Sequence, residues 1–173
     1  MRVPHVENLW LTCYMLTNKE ISFLEETVRI GRSGARRGAG GPFGALVVLD
    51  DTIIGQGSNE VLLTNDPTAH AEIVAIRQAC RHLGHFQLTG CDIYASCEPC
   101  PMCLGAIYWS RPGRIIYANT RKDAAMIGFD DDVIYLEIEK RVEERRMPFI
   151  HHPLPGAISL FDEWKTMESR LKY

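Results

Sequence analysis

Two short stretches hold residues that could do chemistry together: Thr68-Ala69-His70-Ala71-Glu72 and Pro99-Cys100-Pro101-Met102-Cys103. A histidine and a C-x-x-C pair supply three ligands of the kind zinc prefers. Three protein ligands leave one tetrahedral position open to water, the arrangement of a catalytic rather than a structural zinc. Glu72 stands beside His70 without being needed as a ligand, and a carboxylate there can take a proton from a water that the metal activates.

A C-x-x-C by itself is a weak signal, because redox pairs and zinc knuckles share it. The H-x-E upstream, in this order, makes the combination specific. Cys97 is an alternative ligand, but the P-C-x-x-C phase favours Cys100 with Cys103. A structural zinc would need a fourth protein ligand, for which Cys97 and His151 are the candidates. Cys13, Cys80 and Cys91 read as ordinary buried or half-buried cysteines, and His82 and His85 as surface residues.

Helix starts have to position these groups. On a regular helix His70 and Glu72 lie roughly 200° apart around the axis, so both flank one metal only from the first turn. Thr68 is the expected N-cap of a helix that runs through Ile73, Val74, Ile76 and Ala79 to about His82 and stops at Gly84. A second helix is expected from about Cys100 to Trp109, with Pro101 in its first turn. Cys100 and Cys103 then share one face at the helix end that stabilises thiolates.

Further out, Thr17 and Glu20 form a capping box ahead of Ile21, Leu24 and Val28, and this first helix should end in the glycine-rich run 31–41. Its arginines Arg29, Arg32, Arg36 and Arg37 read as a solvated face. Strands are expected at 45–49, 52–57, 91–96 and 114–119, with Asn59 as a turn former after the second. The three aspartates Asp130-Asp131-Asp132 read as a helix start facing water, and 137–146 reads as helical. Phe149 to His152 reads as an edge strand limited by Pro148 and Pro153. A last helix over 160–171 has an apolar face of Phe161, Trp164, Met167 and Leu171. Strands alternating with helices predict an α/β sheet with helices on both faces.

The chain has 173 residues, 46% hydrophobic and 24% charged, which suits one domain. A net charge of -3 gives no general electrostatic draw toward nucleic acid. No apolar run reaches the roughly 18 residues of a membrane span. The clustering of Cys97, Cys100 and Cys103 argues for metal binding in a reducing cytoplasm rather than a disulfide framework. Residues 1–17 read as an N-terminal extension, with Met15 an alternative start to Met1, and 18–173 as a single domain.

At His70-Ala71-Glu72 and Pro99 to Cys103 the sequence resembles the cytidine deaminase superfamily, and within it the bacterial guanine deaminases. Gly40-Gly41-Pro42-Phe43-Gly44-Ala45, Asn65 to Glu72, Ser96 to Trp109, Gly128-Phe129-Asp130-Asp131 with Ile134-Tyr135, Glu143-Glu144-Arg145 and a terminal tyrosine carry the likeness. The resemblance implies a three-layer α/β/α fold with a five-stranded mixed sheet. It implies zinc on His70, Cys100 and Cys103, Glu72 as the proton carrier, and Asp131 as a second catalytic group at the substrate amino group. Substrate contacts would come from Asn59, Ala71, and Phe43 or Trp109 stacking on a purine base. It also implies a homodimer whose swapped C-terminal segment brings Tyr173 over the partner's site. A tRNA adenosine deaminase shares the zinc motifs and is the nearest alternative, but it would call for a more basic surface.

Overall fold

The strand Gly44–Leu49 (β1) is apolar at every position because both of its faces are covered. In the computed structural model, which describes residues 15–171, it lies inside a four-stranded sheet of order β2-β1-β3-β4. The other strands are Thr52–Ser58 (β2), Asp92–Cys97 (β3) and Arg114–Asn119 (β4). β1 is antiparallel to both neighbours and β3 is parallel to β4, so the sheet is mixed. Asp50 and Asp51, both at positive φ, make the tight β1–β2 turn.

Alternation along the strands divides the core. Leu46 and Val48 join Phe23 and Tyr94 beneath helix Asn18–Arg36 (α1). Ala45, Val47 and Ile93 join Ile76 and Ile107 beneath helices Ala71–Leu83 (α3) and Pro101–Ser110 (α4). The result is three layers, α/β/α. A short helix Val61–Thr64 (α2) precedes α3. After β4 come Arg121–Met126 (α5), Asp132–Glu139 (α6) and Pro155–Thr166 (α7).

The Thr17–Glu20 capping box is present, with the Glu20 carboxylate accepting from the Thr17 N–H at 2.7 Å. α1 continues beyond Gly31 because that glycine and Gly34 are buried contact points rather than breakers. A β-carbon on Gly31 would come within 2.9 Å of the Pro42–Phe43 backbone. α3 lies close on β2 for a similar reason: β-carbons on Gly55 and Gly57 would stand 2.4 Å from the carbonyl oxygens of Ala75 and Ala71.

The structure departs from expectation at four places. Among the described residues the sheet has four strands, not five: residues 149–152 form no ladder, and the Arg145 guanidinium instead lies over Phe149, 4.9 Å from the ring centre. Two prolines bracketing four residues leave that segment little to pair with. The N-cap of α3 is His70, not Thr68, whose N–H and hydroxyl both donate to the Asp66 carboxylate. The charged stretch is not one helix, since α6 ends at Glu139 and only a 3-10 turn, Val142–Glu144, follows. The last helix starts at Pro155, a favourable first-turn residue, and ends at Thr166. Among the described residues no helix is long and apolar enough to cross a membrane. Cys13 and Tyr173 lie outside the described residues.

Candidate metal centre and active site

His70 and Cys100 occupy the same position on two different helices. Each is an N-cap residue with extended backbone (ψ 156° and 167°), and neither side chain caps its own helix. Glu72 follows in the first turn of α3 and Cys103 in the first turn of α4. Two helix N-termini therefore converge on one point, where their dipoles favour negative charge.

His70 Nδ1 lies 3.5 Å from Cys100 Sγ and 3.6 Å from Cys103 Sγ. A tetrahedron with zinc–nitrogen and zinc–sulfur bonds of about 2.0 and 2.3 Å separates such atoms by roughly 3.5 Å. The donor set thus fits zinc in spacing as well as in chemistry. The Cys100 thiol is pushed down to about 4, first by the Cys103 thiol donating to it and then by His70. Cys103 is pushed up by that same bond, by burial and by Glu72. Metal binding displaces the thiol proton. The hydrogen bond with Cys100 raises the His70 pKa.

Cys97 takes no part. Its Sγ donates to the Thr120 carbonyl at 3.5 Å, and burial pushes its pKa up to about 11. His151 is exposed. Among the described residues, His70, Cys100 and Cys103 are the one His/Cys/Asp/Glu group placed to hold a metal, so a closed four-ligand site does not form.

The centre lies at the wall of a cavity of about 610 Å³ that Phe43, Asn59, His70, Glu72, Cys100 and Asp131 line. That volume is in the range of small-molecule sites. Glu72 is 8% exposed, and burial raises its carboxyl pKa. Burial also raises Asp131, which sits at the start of α6. Asn59 shapes its turn and also lines the cavity. Its N–H donates to the Phe43 carbonyl at 3.0 Å, its Oδ1 accepts from Val61 N–H, and its side chain faces the cavity.

Two expected contacts are not cavity-lining in the single chain. Ala71 is buried against β2, and Trp109, 65% exposed, stands on the last turn of α4. Among the lining residues that the sequence did not single out is Phe129, which meets Phe43 edge to face, centroids 4.9 Å apart. An aromatic two residues before Asp131 was the signal that could have found it.

An α/β/α fold with a His-Cys-Cys centre and a buried carboxylate beside it defines a zinc-dependent deaminase. Residues 17–119 match the cytidine and deoxycytidylate deaminase zinc-binding region, and the chain belongs to that family. It is 51% identical over 152 residues to a guanine deaminase of Bacillus subtilis, covering 88% of this chain and 97% of the relative. The X-ray structure of guanine deaminase from Bacillus subtilis superposes with a TM-score of 0.87 at 49% identity, over 91% of this chain and 99% of that one. A tRNA-specific adenosine deaminase of Aquifex aeolicus is 32% identical over 143 residues, 82% of this chain and 91% of the relative. A guanine deaminase structure from Nitrosomonas europaea aligns with a TM-score of 0.61 at 29% identity, over 68% and 66% of the two chains.

Proposed function

We infer that the chain is a zinc-dependent enzyme that hydrolyses guanine to xanthine and ammonia. The observation that carries the reading is the buried Glu72 beside the His-Cys-Cys set, at a cavity of small-molecule size, in a chain matched over most of its length by a guanine deaminase. Zinc on His70, Cys100 and Cys103 supplies the Lewis acidity that makes water nucleophilic near neutral pH. Glu72 takes a proton from the attacking water as its oxygen adds to C2 of the base, and passes that proton to the neighbouring ring nitrogen. The C2–N bond to the exocyclic amino group then breaks. Asp131 contacts that amino group and helps protonate it as ammonia leaves and C2 becomes a carbonyl. Asn59 hydrogen-bonds the base and Phe43 stacks on it.

The reading includes a homodimer. Its support is the C-terminal region: neither α6 nor α7 has a buried residue, and Phe161 and Trp164 of α7 are 62% and 46% exposed. A partner chain would cover this face, and the swapped segment would bring Tyr173 to the neighbouring site. Residues 1–17 stand outside the catalytic domain, 18–173, in keeping with a family match that begins at residue 17. The described cysteines are all free thiols, which agrees with a cytoplasmic setting.

Zinc content and ammonia release from guanine, adenosine, cytosine and cytidine test the reading. It expects about one zinc per chain, as one open site requires, and ammonia from guanine. Ammonia from adenosine or cytidine and none from guanine would overturn it.

A further inference from the structure

Asp131 stands at the start of an element that the core barely holds. α6 has no buried residue, yet its N-terminal aspartate has to meet the base within hydrogen-bond reach. One side chain ties the helix to the metal centre. The Tyr135 hydroxyl donates to the carbonyl of Pro99 at 3.3 Å, and Pro99 immediately precedes the ligand Cys100. Tyr135 is one turn on from Asp131, on the same helix face, and its N–H donates to the Asp131 carbonyl at 3.4 Å. A movement of the ring is therefore a movement of the helix turn that carries Asp131.

The ring is itself fixed. The Arg121 guanidinium lies over it, 4.7 Å from the ring centre. Arg121 is anchored in turn on the ligand side, its N–H donating to the Glu98 carboxylate at 3.0 Å, and its side chain lies 3.8 Å from the Asp132 carboxylate. Arg121 and Tyr135 thus bridge the segment before Cys100 to the first turn of α6.

We propose that Tyr135 is a positioning residue for deamination: its hydroxyl, braced by Arg121, sets the distance from Asp131 to the metal centre. The proposal rests on the guanine deaminase reading, because it assigns Asp131 to the substrate amino group. Tyr135 neither lines the cavity nor belongs to the metal-ligand group, so its effect runs through Asp131. It therefore differs from a residue that merely stabilises the fold.

Tyr135→Phe removes the hydroxyl and keeps the ring under Arg121. The test is a cycle of Tyr135→Phe, Asp131→Ala and the double variant, with kcat on guanine, zinc content and amide hydrogen exchange measured for each. In the native background Tyr135→Phe should lower kcat roughly tenfold, as a small misplacement of an acid–base group does. Zinc content should be unchanged. In the Asp131→Ala background the same change should cost less than twofold, since residues that act as a unit are not additive. Exchange over 131–139 should rise in Tyr135→Phe while that over 101–110 stays as it was. A native kcat in Tyr135→Phe, an equal loss in both backgrounds, or loss of zinc would each overturn the proposal. If the native chain released no ammonia from guanine, the functional reading would fail, and unchanged exchange over 131–139 would separately overturn the anchoring role.

Discussion

A β-carbon on Gly40 would stand 2.1 Å from the Oδ1 of Asn59 and 2.9 Å from its carbonyl oxygen. The bare backbone at Gly40 is thus what lets the Asn59 amide lie where it does on the cavity wall. Gly40→Ala has to push that amide aside, because the Asn59 N–H is also held by the Phe43 carbonyl. Losing a buried polar contact costs about 1–3 kcal/mol, or roughly five- to hundredfold. Steady-state kinetics should show kcat/KM for guanine down by at least that lower figure, with metal analysis unchanged. A variant as active as the native chain would mean that Asn59 is no more than the turn former its sequence context suggests.

Glu72→Gln keeps the shape of the side chain and removes the base. Glu72 lies in the first turn of α3 and is not one of the three ligand residues. Zinc should therefore stay bound, while turnover falls by about 10²–10⁴-fold or more, the usual contribution of a positioned proton carrier. Activity within a few-fold of native would remove Glu72 from the mechanism. Zinc loss in this variant would make Glu72 a ligand.

The ligand set and the four strands were legible in the sequence because they depend on short-range signals: C-x-x-C on one helix turn, and a short continuous apolar run at β1. Thr68 misled as an N-cap because capping propensity is local, and the sequence does not say that Asp66 already accepts both of its hydrogen-bond donors. Residues 149–152 have strand-like composition, but a strand needs a ladder partner, and partners are set by tertiary structure. Asp131 is one of three adjacent aspartates with nothing local to single it out. Only the cavity separates it from Asp132, which faces Arg121 instead.

Arg114 joins three elements, bonding to Asp92 on β3 and to Glu20 in the first turn of α1. The Glu20 carboxyl is held at about 2, first by the Thr17 N–H, then by the Thr17 hydroxyl and Arg114. A depressed native pKa means that the unfolded chain binds the proton more readily. The stabilisation is therefore complete above about pH 4.5 and lost as pH falls toward 2. Glu20→Gln should melt below the native protein at pH 7, and the gap should close by about pH 2–3 in thermal scans. A gap that stays constant across that window would show that the carboxylate charge contributes nothing.

Helix α7 presents Phe161 and Trp164 to solvent in the single chain. Covering an apolar side chain of this size is worth about 2 kcal/mol, and a symmetric dimer counts each residue twice. If these side chains are covered by a second copy, Phe161→Ser with Trp164→Ser should weaken association by several orders of magnitude. Sedimentation velocity at micromolar concentration should then show a dimer for the native chain and a monomer for the variant, each with about one zinc per chain. Guanine turnover should fall along with the dimer, because the last residues of one chain are proposed to close the other's cavity. Removing Tyr173 alone should separate the two effects, leaving the dimer and its zinc intact while turnover drops. A native chain that sediments as a monomer, or a doubly substituted variant that remains a fully active dimer, would refute the shared site without touching the zinc chemistry.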